Sequence, residues 1–418
     1  MGATTARAES VPWLDSHQSD WRSFSSAAAQ LPAAWDGKRI FVLGAFHGVA
    51  ENGPIDLAML PALQRQAGVR TYAAEISHAH ALYLNRFLTT GDREPLERVM
   101  AGMHGFGDWT VEQRGFWIEL RRWNETLPVG ARLKIIGIDF ERFSPEISLA
   151  WLRAAVGRAG IPDAADQAAL VRQLAAVPQD ASLERVKTFA AAWSESWRSQ
   201  PAPWQAYFGS DAYDARFIVD NLQQRFDCQA DPASFDRKRE QVFIHNLETE
   251  AAHSSLGAIF CRLGTAHALQ HPFDGVARFA ALLQAPTSPW RGQVASVFPL
   301  YVEGQNLAVK QGRYRVASNA DDPTLTQPFA RSARFAWTLF ELQGGGSPYA
   351  ANRLRPGEIW RWVNDRPSQV DGLQERSVQL FGGFSGGVTA DYATEFLLVR
   401  GSHAAHPLAE VEDDLRAR

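Results

Sequence analysis

Short apolar runs typical of β strands alternate along this chain with longer segments of helical periodicity. The runs at 39–43, 71–74 and 133–138 are separated by segments that favour helices. In one of these, Thr110 and Gln113 have capping-box spacing, and apolar residues follow at helical intervals. Alternation of this kind is typical of an α/β fold with a parallel sheet.

A long helical segment interrupts this alternation. Residues 145–255 are rich in Ala, Gln, Arg and Trp, and their apolar residues recur at helical spacing, which predicts an all-helical insertion between the third and fourth strands. Further strand-like runs lie at 258–263, 294–302, 335–342 and 395–399. The sequence therefore predicts a central, mostly parallel sheet flanked by helices.

These patterns divide the chain into five segments. We expect an N-terminal segment (1–37), the first half of the α/β core (38–144), the helical insertion (145–255), the second half of the core (256–402) and a C-terminal tail (403–418).

Composition excludes several classes of protein. The 418 residues are 45% apolar and 21% charged, as in ordinary globular proteins, and the net charge of −4 argues against a nucleic-acid binder. Two cysteines provide no disulfide framework. No run reaches the roughly 18 apolar residues of a membrane span. The first ten residues lack the apolar core of a signal peptide, so we expect a cytoplasmic protein, although Ala6–Ala8 leaves open a removed leader.

Two histidines follow strand-like runs in motifs of the same form, Gly-x-x-His. His47 ends the motif Gly44–His47, and His267 ends the motif Gly264–His267. Ligands bind open α/β sheets beyond the carboxyl ends of the strands. We therefore expect the two imidazoles to lie at one edge of the sheet, where they can share a site.

Two carboxylates follow the neighbouring runs. Glu75 ends the second run and Asp139 ends the third. A buried carboxylate needs a partner, so Glu75 either caps the next helix or holds a histidine, a metal or a proton in a site. We expect both carboxylates at the same edge, with Asp139 among the groups that bind substrate.

Arg239 and Asn246 are seven residues apart and share one helix face with apolar residues. A buried guanidinium needs an anionic partner. That partner is either a carboxylate inside the fold or a substrate carboxylate or oxyanion. We interpret Arg239 as a catalytic candidate and Asn246 as a substrate-binding candidate.

Three more polar residues are substrate-binding candidates. His104 lies in a glycine-rich segment, and Glu51 and Asn52 follow the first histidine motif. By contrast, His78 and His80 are two apart on an expected helix and are interpreted as surface or packing residues. The chain has no Walker loop and no His-Glu-x-x-His motif, which disfavours a nucleotide-dependent enzyme.

In their order, these features resemble the superfamily of erythromycin esterase-like and Tiki-type (TraB-like) proteins, which also includes haem-binding bacterial lipoproteins. Leu43–Gly48 resembles the first histidine motif of the family, and Gly264–His267 resembles the second. Glu75 matches the glutamate that follows the second strand in the family. Arg239–Asn246 resembles the family's helix with the pattern Arg-(Asp/Glu)-x-x-Met-x-x-Asn. Ala45 stands where the family carries a glutamate, and Glu51 is a nearby carboxylate.

The resemblance to erythromycin esterases implies a hydrolase that acts on an ester or related acyl bond of a small molecule or peptide, without a cofactor. His47 would be the general base on a water, Glu75 would orient it or transfer protons, and His267 and Arg239 would stabilise the oxyanion.

Two alternatives remain. A Tiki-like hydrolase would bind Zn or Mn through His47, Glu75 and His267. Ala45 instead favours a non-catalytic member that binds a small ligand such as haem.

Overall fold

The computed structural model describes residues 12–178, 182–273, 275–310, 312–321, 323–344, 347, 349, 368–370, 373–375 and 389–408. Its strands are β1 (Gln18–Asp20), β2 (Ile40–Ala45), β3 (Val69–Ala74), β4 (Lys134–Gly137), β5 (Ala258–Gly264), β6 (Val294–Val302), β7 (Gln305–Lys310), β8 (Arg313–Ser318), β9 (Trp337–Glu341), β10 (Ser368–Val370), β11 (Leu373–Glu375) and β12 (Glu395–Arg400).

The α-helices are α1 (Pro12–Ser16), α2 (Asn52–Ala67), α3 (His78–Thr90), α4 (Arg93–Gly102), α5 (Val111–Thr126), α6 (Glu146–Ala159), α7 (Ala165–Ala176), α8 (Leu183–Ser199), α9 (Pro201–Phe208), α10 (Ala212–Gln229), α11 (Phe235–His253), α12 (Phe279–Leu283), α13 (Pro323–Ser332) and α14 (Thr389–Tyr392). Short 3-10 helices include one at Thr265–Ala268, directly after β5.

The predicted α/β fold is confirmed. Eight strands form one sheet in the order β1-β9-β12-β6-β2-β5-β3-β4. β2 pairs in parallel with β5 and β6, and β12 pairs in parallel with β6. The antiparallel pairs β12–β9 and β9–β1 lie at one end of the sheet. Every residue of β2 is buried, as expected for a strand covered on both faces by other parts of the protein.

The helical insertion is also confirmed, because α6 to α11 occupy the segment between β4 and β5. Its core is aromatic. Trp193 and Trp204 are fully buried, and the rings of Trp197 and Trp204 stack with their centroids 5.6 Å apart. The tryptophans that are abundant in this segment thus serve helix packing.

The chain forms two compact units. The first unit comprises Met1–Tyr72, Thr110–Leu133 and Leu256–Arg418, and the second comprises Ala73–Trp109 and Lys134–Ser255. Cys261 is buried in the first unit and Cys228 in the second. The five-segment division expected from the sequence stays a prediction. None of the helices in the described residues combines the length and apolar composition that a bilayer-spanning segment needs.

Candidate functional site

In the first unit, the two histidine motifs leave the sheet at the same edge. The parallel register of β2 and β5 places Ala45 opposite Gly264. His47 follows Ala45 by two residues and is half-buried, and His267 lies buried in the 3-10 helix Thr265–Ala268. The carboxyl ends of two adjacent parallel strands thus carry the two candidate imidazoles, as the sequence predicts.

The backbone around His47 is held closely. The Asn306 amide donates to the His47 carbonyl oxygen over 3.1 Å, and the Leu307 N–H donates to the Gly48 carbonyl oxygen over 2.8 Å. Gly48 has a φ of +75°, and a Cβ there would lie 2.1 Å from the Leu307 carbonyl oxygen. Only glycine fits this turn, because the left-handed backbone and the close strand both exclude a side chain.

Two of the predicted substrate-binding residues of the first unit contact the protein itself. The Asn52 side-chain amide donates to the Phe46 carbonyl oxygen over 2.9 Å. The Glu51 carboxylate accepts hydrogen bonds from the backbone N–H and the Nδ1 of His403, at 3.0 and 2.6 Å. A role for either residue in substrate binding stays a prediction.

A buried ion pair that the sequence analysis missed lies in the same unit. Arg262 of β5 contacts Asp56 of α2 at 2.9 Å, and the Tyr72 hydroxyl donates to the other Asp56 oxygen over 2.7 Å. Burial raises the pKa of Asp56 to about 6, although Arg262 and Tyr72 act in the opposite direction. The available signal was a single basic residue within the apolar run at 258–263.

In the second unit, a buried guanidinium joins the two predicted carboxylates. Arg239 of α11 donates from Nε to Asp139 over 3.2 Å, and its Nη2 lies 2.5 Å from both Asp139 and Glu75. Asp139 is fully buried and Arg239 nearly so. Burial lowers the pKa of Arg239, but the two carboxylates outweigh it and raise this pKa overall. The guanidinium therefore remains charged and holds both carboxylates in one arrangement.

A second arginine, which the sequence analysis missed, also contacts Glu75. The Arg142 Nη1 lies 3.0 Å from the same oxygen of Glu75. The Arg142 side chain is 37% exposed, whereas that of Glu75 is 8% exposed. Glu75 is thus held by one buried and one partly exposed guanidinium, both of which favour its ionised form.

Asn246 fixes the end of β4. Its amide donates to the Ile138 carbonyl oxygen over 3.1 Å, and its own oxygen accepts from Gln224 over 3.0 Å. The same amide donates to the carbonyl oxygen of Asp139, the next residue, over 3.3 Å. A role for Asn246 in substrate binding stays a prediction.

The remaining histidines of the second unit differ in their surroundings. His104 is exposed and packs its ring edge-on against Trp109 at 4.4 Å. His78 is buried between Asp214 at 2.8 Å and Glu250 at 2.9 Å. Burial lowers the pKa of His78, but these two carboxylates outweigh it and raise this pKa overall.

His80, also buried, contacts the Ser77 hydroxyl at 2.8 Å, and burial lowers its pKa to about 3. Both His78 and His80 are thus interior packing residues rather than surface residues.

The alternative metal site needs a cluster of ligating side chains. Among the described residues, no group of three or more His, Cys, Asp and Glu side chains is arranged so that it could hold a metal ion. The cation between Asp139 and Glu75 is the guanidinium of Arg239. Use of Zn or Mn through His47, Glu75 and His267 stays a prediction from the resemblance.

Comparisons of sequence find no match: no family model and no curated protein matches this chain. Solved structures do match.

A Bacillus cereus protein aligns with a TM-score of 0.68 and 13% identity over 94% of this chain and 97% of its own. A succinoglycan biosynthesis protein aligns with a TM-score of 0.65 and 14% identity over 94% and 97%. An erythromycin esterase mutant in its open conformation aligns with a TM-score of 0.61 and 12% identity over 89% and 93%.

At these identities the likeness concerns the fold alone. The Tiki-type part of the resemblance stays a prediction. The chain has an erythromycin-esterase-like fold.

Proposed function

We propose that the protein hydrolyses an ester or a related acyl bond of a small molecule or peptide. The observation that carries this proposal is Glu75, which follows β3 and is held by Arg239 and Arg142. A carboxylate that two guanidinium groups hold in position suits the partner of a general base. The fold shared with an erythromycin esterase supports the same class of reaction.

In the proposed reaction, His47 takes a proton from water while the water oxygen attacks the carbonyl carbon. The resemblance assigns to Glu75 the task of orienting the imidazole or of taking part in the proton transfer. His267 stabilises the oxyanion of the tetrahedral intermediate. When the intermediate collapses, the bond to the leaving oxygen breaks, and His47 returns the proton to that oxygen. The products are a carboxylic acid and an alcohol.

The contacts of Arg239 change the role that the resemblance implies for it. Its Nε and Nη2 already donate to Asp139 and Glu75. We therefore assign Arg239 to holding Glu75 rather than to the oxyanion.

The test is turnover of p-nitrophenyl acetate, butyrate and octanoate by the wild type and by His47→Ala, Glu75→Gln and His267→Ala. We expect kcat/KM to fall by about 10²-fold or more for His47→Ala, the scale of general-base catalysis. His245→Ala is the matched control, because His245 is an exposed histidine of α11. Equal rates for the wild type and His47→Ala would refute the proposal.

A second candidate function is binding without chemistry. It is favoured by Ala45, which is 6% exposed at the end of β2, where the resemblance leads one to expect a glutamate. A ligand that binds only the folded protein raises the melting temperature. A rise with haemin and no turnover of any ester would support this function, and turnover that depends on Glu75 would exclude it.

A further inference from the structure

Residues Gly401–Leu408, the C-terminal strap, run along the segment that carries His47. The Ala50 N–H donates to the His403 carbonyl oxygen, and the Ala405 N–H donates to the Gly48 carbonyl oxygen, both over 2.9 Å. The strap therefore forms backbone hydrogen bonds on both sides of Val49, directly after the candidate general base.

Two pairs of residues with the same contact geometry, His403 with Glu51 and His406 with Glu112, hold the strap in place, and we call each pair a clamp. The backbone N–H and the Nδ1 of His403 contact the two carboxylate oxygens of Glu51, at 3.0 and 2.6 Å. The same two groups of His406 contact the two oxygens of Glu112, at 2.8 and 2.6 Å. Both imidazoles are largely exposed, so their contribution to the core is small.

The two clamps hold different parts of the first unit. Glu112 lies in the first turn of α5, which carries no candidate residue. Glu51 lies in the segment Phe46–Asn52, which carries His47. On its other side this segment is bonded to β7, through Asn306 and Leu307. The candidate base is thus fixed between β7 and the strap.

We propose that the C-terminal strap positions His47 for catalysis through the clamp between His403 and Glu51. This inference rests on the proposed hydrolase function. The efficiency of a general base depends on its placement, and a displacement of about 1 Å costs up to about 10²-fold in rate. Glu51 and His403 are positioning residues, and the carboxylate of Glu51 acts on the protein rather than on substrate.

The first experiment compares His403→Ala, His403→Asn and His406→Ala with p-nitrophenyl acetate as the probe. We expect His403→Ala to lower kcat about 10-fold with little change in KM. His403→Asn should restore kcat, because its amide nitrogen occupies the position of the lost Nδ1 donor. His406→Ala loses an equivalent contact to Glu112 and should keep the wild-type kcat. Equal kcat values for His403→Ala and the wild type would overturn the proposal.

The second experiment does not depend on activity. Amide hydrogen exchange should accelerate at Gly48–Asn52 in His403→Ala and at Val111 in His406→Ala, because the Val111 N–H donates to the His406 carbonyl oxygen. If the wild type turns over no ester, the proposed function fails, and this pattern alone decides whether the strap holds the segment. Unchanged exchange at Gly48–Asn52 in His403→Ala would overturn the inference.

Discussion

Arg239→Gln tests how much the buried guanidinium stabilises the protein. The contacts of Arg239 include three charge-assisted hydrogen bonds, two to Asp139 and one to Glu75. At about 1.5 kcal/mol each, these sum to about 4–5 kcal/mol. This agrees with the cost of about 3–5 kcal/mol for removing one partner of a buried ion pair. We therefore expect the free energy of unfolding to fall by about 4 kcal/mol. Among the described residues, the buried side chain of Asp139 would then keep only the N–H of Phe140 as a donor.

A double-mutant cycle isolates the interaction itself. In Arg239→Gln, the Asp139 carboxylate stays buried without its guanidinium partner, and Asp139→Asn removes that unpaired charge. The double variant should therefore lose at least about 2 kcal/mol less free energy of unfolding than the two single variants together. Urea unfolding followed by circular dichroism measures each free energy. Arg237→Gln, on the exposed side of α11, is the control and should change stability by about 0.5 kcal/mol or less. A cost below about 1 kcal/mol for Arg239→Gln, or strictly additive changes, would refute the reasoning.

Three further substitutions have defined outcomes. The pKa of His78 in the folded protein lies above its ordinary value of 6.5. The stability that its contacts with carboxylates provide is therefore fully present below pH 6.5 and is lost as the pH rises through the folded pKa. The loss of stability in His78→Gln, measured by urea unfolding across pH, should accordingly be larger at acidic than at alkaline pH. Gly48→Ala should cost more than Gly68→Ala, because a Cβ at Gly48 meets the backbone of β7, whereas one at Gly68 meets nothing within 4 Å; equal melting temperatures would contradict this. Thr110→Ala should cost about 1 kcal/mol through loss of the cap of α5, and an unchanged urea midpoint would show that the cap contributes nothing.

The strands that can be predicted from the sequence are the fully buried ones, because each of them consists of a continuous apolar run. β2 and β6 are of this kind. β1 consists of Gln, Ser and Asp, and its pairing with β9 is a contact across the chain that its composition does not indicate. β8 is largely exposed and rich in arginine, so the hairpin it forms with β7 has no apolar pattern to indicate it.

The site could be predicted as far as residue types and helix faces allow. The helix face of Arg239 predicted a buried guanidinium, which needs an anionic partner. Its partners Asp139 and Glu75 lie 100 and 164 residues away along the chain, and the sequence left a substrate anion as the alternative. Glu51 was interpreted as a candidate for binding substrate, whereas its contact in the structure is His403, 352 residues away. Contacts between residues so far apart in the chain are determined by the packing of whole helices and strands. They therefore cannot be predicted from the local sequence pattern.

The two buried cysteines can be used to measure local unfolding of the protein. Burial raises the pKa of the Cys228 thiol to about 11, and it also raises the pKa of Cys261 above its ordinary range. Because only an exposed thiolate reacts readily with an alkylating reagent, each cysteine becomes labelled when the structure around it opens. One thiol belongs to each compact unit. Mass spectrometry of the labelled peptides would therefore report whether the two units open in one cooperative event or at separate rates.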